Sequence, residues 1–252
     1  MPHPVTLPRQ SWGFPTAGRR ALLIHGLGSN GALMWRYGVA LAERGWRADA
    51  VDLRGHGTAP RTLDYSLAAY GADVLGTRPA DGAPWDLVIG HSLGGAASVL
   101  AAAEDASWTR RLVLIDPAIS LTARDRDIVR DSQTRSFDDP SAAAVRAEHP
   151  DWHAQDVELK ALSAQQASRW AVEQTSVQNP QWDVTDAALR VAVPTHVIAS
   201  DPEVYSIFRG KPAERAVAAN PLFQVSVVAG AGHSPHRDAP EATIAALLAA
   251  LA

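Results

Sequence analysis

At 252 residues, with 46% hydrophobic and 20% charged positions, the chain is long enough for one sizeable α/β domain with an insertion, or for two small domains. A formal charge of −4 without a basic stripe offers no footing for nucleic acid, and the absence of cysteine excludes disulfides, thiolate catalysis and cysteine-held metal. Residues 1–15 lack the apolar centre of a secretory signal and no run of about 18 apolar residues appears, so a soluble cytoplasmic protein with no membrane partner is expected.

Residues 1–18 are proline-rich with little periodicity, and an edge strand is expected around 12–14. Ala21-Leu22-Leu23-Ile24 is an all-apolar run of the buried parallel-strand type, ending at His25-Gly26-Leu27-Gly28. Asn30 is placed to cap a helix reaching about 44, with Leu33, Tyr37, Ala40 and Leu41 on one face and Gly45 as its stop. A strand over 46–52, a Gly-rich loop over 53–65 and a helix over 66–76 follow. The next strand starts near Trp85 and runs through Leu87-Val88-Ile89 into Gly90-His91-Ser92-Leu93-Gly94. A small-residue helix over 93–103 then leads to a strand over 112–115, stopped by Asp116-Pro117. Strict alternation of strand and helix argues for a mostly parallel, twisted sheet flanked by helices.

The alternation lapses over 118–193. Helical patterns at 122–132, 141–149, 155–174 and 184–189 are too much chain for a plain crossover, so this stretch is expected to form a helical lid. The core then comprises 1–117 and 194–252, with a strand over 195–199 ending at Ser200-Asp201-Pro202, a helix over 213–219, a strand over 223–228, the loop Gly230-Ala231-Gly232-His233 and a terminal helix over 241–251.

Ser92 occupies the centre of G-x-S-x-G between a strand and a helix, where a tight turn pushes the hydroxyl clear of the sheet and leaves the next amide N–H at a helix N-terminus. In an open parallel sheet the carboxyl ends of the strands meet in one crevice, and four of them carry useful groups: His25-Gly26-Leu27, Ser92, Asp201 and His233. Serine, acid and histidine follow one another in the order this architecture requires.

With HGLGSN (25–30), DLRGHG (52–57), GHSLGG (90–95), SDPE (200–203) and GHSPHRDAPE (232–241), the chain resembles the α/β-hydrolase superfamily from about residue 20 to the end. The resemblance implies Ser92 as nucleophile, His233 as its base and Asp201 as the acid that orients the imidazole, Asp116 being the alternative acid at the earlier strand end. It further implies an oxyanion hole from the backbone N–H groups of Leu27 and Leu93. His25, His56 and His91 read as structural, and His236 faces either pocket or solvent. Met34, Trp35, Trp152, Trp170 and Tyr205 are candidates for the wall of an apolar cleft.

No metal site is expected, since Pro150 interrupts the spacing of His149 and His153; no cofactor is expected either, since the dinucleotide fingerprint is missing. These readings converge on a cofactor-free serine hydrolase for a small to medium hydrophobic ester or lactone. The alternatives are C–C, amide or perhydrolytic chemistry with the same triad, or a ligand sensor with slow turnover.

Overall fold

The apolar run at 21–24 becomes the centre of β2 (Arg19–Ile24), whose last four residues are buried from solvent. It lies between β3 (Trp46–Val51) and β4 (Leu87–His91), followed outward by β5 (Leu112–Ile115), β6 (Thr195–Ser200) and β7 (Phe223–Val228). All these pairs are parallel; only β1 (Arg9–Trp12) runs antiparallel, against β3, a little earlier than the edge strand expected at 12–14. The order β1-β3-β2-β4-β5-β6-β7 sets the tips of β2, β4 and β5 side by side at the middle of the sheet. This computed structural model describes residues 2–252.

Helices cover both faces. One face packs against α1 (Trp35–Ala42) and the terminal α11 (Pro240–Leu251), which bury Tyr37, Leu41 and Leu247 against Leu23, Ile89 and Val113. The other packs against α2 (Leu67–Gly76), α3 (Leu93–Glu104) and α9 (Gly210–Ala219), around Leu22, Val88, Leu112 and Val197. Burying each such side chain contributes about 1.5–3 kcal/mol before conformational entropy is subtracted. Ser66 caps α2 by accepting from Ala69 N–H, and Asn30 caps a short 3₁₀ turn over Gly31–Met34 in place of the first turn of the helix expected there.

Between β5 and β6 lie α4 (Ala123–Asp138), α5 (Ala142–Glu148), α6 (Ala154–Gln166), α7 (Arg169–Val177) and α8 (Thr185–Arg190). The single helix expected over 155–174 is two. Ala167 is extended, and Ser168 donates its N–H to Gly55 O at 2.9 Å while its hydroxyl caps α7. Val145, Trp152, Val157 and Ala161 form a small separate core. Ala187 and Ala188 of α8 instead join the cluster against the sheet. Ala171 of α7 joins that same cluster. No described helix is long and apolar enough to cross a membrane.

The packing of α3 on the end of β2 depends on glycine. A Cβ on Gly94 would sit 2.6 Å from His25 O and closer still to Ile24 O, both backbone atoms that cannot swing aside. Gly94→Ala is expected to destabilise the fold by roughly 3 kcal/mol, seen as a lower denaturation midpoint with unchanged slope. An unaltered midpoint would mean the strand and helix are not packed this tightly.

Candidate active site

Ser92 directly follows β4 and caps α3 with φ 52° and ψ −117°; Asp116, directly after β5, has φ 35°. They are the two non-glycine residues with positive φ among the described residues, and such conformations cost about 1–3 kcal/mol each. Strained backbone at two adjacent strand tips marks a place where side-chain direction matters more than local comfort.

The two meet through His233. Its Nε2 lies 3.0 Å from Ser92 Oγ and its Nδ1 lies 2.7 Å from Asp116 Oδ2. Asp116 is fully buried, which pushes its carboxyl upward, but the hydrogen bonds from His233, Ser206 and Ile207 outweigh this and hold it below the usual carboxylate range. Ser206 Oγ donates to Oδ1 at 2.5 Å and Ile207 N–H to Oδ2 at 3.1 Å. An ionised carboxylate only accepts, so Nδ1 carries the hydrogen and Nε2 presents its lone pair to the serine hydroxyl. The geometry alone selects the tautomer a base needs.

This corrects the expectation for Asp201. That side chain is partly exposed at the tip of β6, where Oδ1 accepts from Glu203 N–H at 2.9 Å and Oδ2 from Gly230 N–H at 2.7 Å. Both oxygens are committed to turning the chain, and those two bonds hold its carboxyl below the usual range. Asp201 thereby fastens the loop that delivers His233, whereas Asp116 meets the imidazole because β5 is the strand next to β4.

The loop after β2 is fixed by histidines. His56 Nε2 accepts from Gly28 N–H at 3.0 Å and His25 Nε2 from Leu53 N–H at 3.0 Å; each donates from Nδ1 to a carbonyl, of Arg54 and Gly26 respectively. Burial draws both rings down, His56 to about 3, so they stay neutral and keep accepting. His91 donates to His233 O at 2.9 Å and steadies that loop. His236 faces neither pocket nor solvent: it is fully buried between Tyr37 and His91. Leu27 and Leu93 share with Ser92 the wall of a recess of about 20 Å³, and their N–H groups donate to no acceptor among the described residues.

A cleft of about 520 Å³ opens above Ser92 and His233. Of the expected wall residues, Trp152 and Tyr205 line it. Met34 does not, being packed in the core beside Tyr37 and Leu41. Trp35 is turned away because its indole N–H donates to Asp156 at 2.8 Å. Trp170 is 46% exposed on the outer side of α7, edge-on to Tyr65. The wall is also more polar than expected, since Gln133, Lys160 and Arg237 reach into it. Sequence reasoning missed these three, although Lys160 is one of only two lysines in a chain whose other basic residues are arginine. No cluster of three or more potential metal ligands occurs among the described residues.

A profile described as the alpha/beta hydrolase family matches residues 21–246. Lipase LipV of Mycobacterium tuberculosis is 35% identical over 158 residues, 60% of this chain and 57% of that protein, so the match spans little more than half of that relative. The 2-(acetamidomethylene)succinate hydrolase of Mesorhizobium japonicum is 28% identical over 246 residues, covering 92% of this chain and 87% of that one. Among solved structures, that of E-2-(acetamidomethylene)succinate hydrolase superposes with a TM-score of 0.82 at 25% identity, covering 98% of this chain and 95% of the other.

Proposed function

We infer that this chain, which belongs to the alpha/beta hydrolase family, is a serine hydrolase that opens a carboxylic ester or lactone through an acyl-enzyme on Ser92. The observation that carries the reading is the unbroken relay from Ser92 Oγ through the His233 ring to Asp116, with links of 3.0 and 2.7 Å. As Oγ attacks the acyl carbon, its proton passes to Nε2, and the buried Asp116 carboxylate stabilises the imidazolium so formed. The carbonyl oxygen, now an oxyanion, takes the free N–H groups of Leu27 and Leu93, each such donor being worth about 3 kcal/mol in the transition state. Collapse expels the alcohol, which receives the proton from His233. Water then enters, loses a proton to the same nitrogen and releases the acid. In this reading α4–α7 act as a lid, with Asp201 supporting the histidine loop rather than the ring.

Amide cleavage by the same steps is the second reading, favoured by the name of the M. japonicum relative, whose acetamido group is held by an amide bond. Treatment with a fluorophosphonate followed by peptide mass spectrometry tests the nucleophile: one adduct is expected, on the peptide carrying Ser92. A panel of aryl esters, lactones and anilides then separates the two readings by relative kcat/KM. Absence of both adduct and turnover would overturn the assignment.

A further inference from the structure

Two cations in the cleft play no part in the relay. Lys160 reaches it from α6, and Arg237 from the short α10 (Pro235–Asp238). Arg237 is 6% exposed, yet it donates only from Nη1 to Ser234 Oγ at 3.3 Å, and its buried Nε has no partner. The Lys160 ammonium makes one bond, to Gly28 O at 2.9 Å, leaving two of its three donors unused. Neither side chain has a carboxylate within 4.0 Å among the described residues.

The carboxylates on the same wall are engaged elsewhere. Glu148 pairs with Arg135 at 3.1 Å, and Asp238 accepts from the Trp152 indole at 2.7 Å and from Gly232 N–H at 2.9 Å. Asp156, close by, is taken by Arg36 and Trp35. Trp152 is held by Asp238, stacks on His149 at 3.7 Å and carries the Arg237 guanidinium 5.1 Å from its ring. The arginine is thus preset rather than loose. A buried cation is ordinarily paired, so the unpaired Arg237, with the half-buried Lys160 ammonium facing the same space, points to an anion that arrives from outside.

We propose that Lys160 and Arg237 form an anion subsite for a free carboxylate on the substrate, so that the bond cut at Ser92 belongs to a molecule that also carries a carboxylic acid. The Nη donors that Arg237 leaves unused, with the two unused donors of Lys160, can take the oxygens of a carboxylate, and about 520 Å³ suits a short-chain acid half-ester. The proposal rests on the serine-hydrolase reading for the bond that breaks, and on the cleft alone for the ion that binds.

The test measures binding apart from turnover. With Ser92→Ala protein, calorimetry compares mono(4-nitrophenyl) glutarate with its methyl-capped neutral counterpart. The anionic compound is expected to bind about ten- to a hundredfold more tightly, and Arg237→Gln or Lys160→Met to bring that ratio towards one. Both substitutions remove an unpaired cation, so the melting temperature should hold or rise; if Arg237→Gln fails to fold, Arg237→Lys and Lys160→Met carry the comparison. Equal affinity for the two compounds, a ratio untouched by the substitutions, or competition by inorganic phosphate as strong as by the half-ester would overturn the subsite. Wild-type turnover of either compound reads the hydrolase assignment separately. Discrimination without turnover would sink only that assignment, and turnover without discrimination only the subsite.

A pH series gives an independent readout. Burial, then repulsion from Arg237, draw the Lys160 ammonium down to about 8, with Glu148 pulling the other way. The neighbouring His25, His56 and His149 are all pushed down by burial, so they carry no charge in alkaline solution. The Lys160 share of the discrimination should therefore be complete a unit or more below pH about 8, half lost near it and gone well above it, and Lys160→Met should lack that alkaline limb. A flat ratio up to pH 10 would remove Lys160 from the subsite.

Discussion

Ser92→Ala is expected to lower kcat/KM for an activated aryl ester by on the order of 10⁶, to the level left by binding and oxyanion donors alone. Among the described residues the Ser92 hydroxyl is the only partner of His233 Nε2, at 3.0 Å, so no neighbour can substitute for it. The fold should remain intact, because Ser92 Oγ makes no other bond and the β4–α3 turn is held by backbone links from Ser92 N–H to Ile115 O and from Ala118 N–H to Ser92 O. Progress curves with the variant, beside its circular dichroism, check both halves of the statement. Retained turnover in a folded variant would remove Ser92 from the chemistry.

The second large effect separates two aspartates that look alike in sequence. Asp116→Asn should cost about 10⁴ in kcat, because an amide nitrogen facing Nδ1 would favour the tautomer whose Nε2 bears hydrogen and can no longer take the serine proton. Asp201→Asn should cost only a few-fold, since an amide oxygen can still accept from Glu203 or Gly230 N–H and keep the histidine loop near its place. Steady-state kinetics of the two variants decides the matter. The reverse ranking would return the acid to the later strand.

The sequence favours Asp201, whereas the imidazole meets Asp116, and the reason is instructive. Ile115-Asp116-Pro117 and Ser200-Asp201-Pro202 both place an Asp-Pro pair where an apolar run ends. What separates them is non-local: β5 adjoins β4, and Ser206 and Ile207, some 90 positions later, supply donors that let Asp116 be buried and charged. The strands and the elbow were legible because each is a local pattern, such as the uninterrupted Leu22-Leu23-Ile24 and the glycines two residues either side of Ser92. Above the sheet the record is mixed. The break at Ala167 was masked by continuous helical periodicity, although Ser168 is a capping residue in plain view. Hydrophobicity could not say which way Trp35 or Trp170 faces, because an indole N–H finding Asp156, or a ring finding Tyr65, is decided by tertiary neighbours. Nothing in the local sequence singles out Lys160 or Arg237, because it is the fold that sets both on the cleft wall.

The positive φ angles at Ser92 and Asp116 have a bearing on any effort to harden this protein against heat. A screen that rewards survival alone will be drawn to the Ser92 codon, since glycine there would release about 1–3 kcal/mol of backbone discomfort, whereas glycine at Asp116 would orphan the buried donors of Ser206 and Ile207. Its winners would be robust and inert. Useful thermal tolerance has to be sought at positions distant from those two turns, where relaxing the chain takes nothing from the reaction.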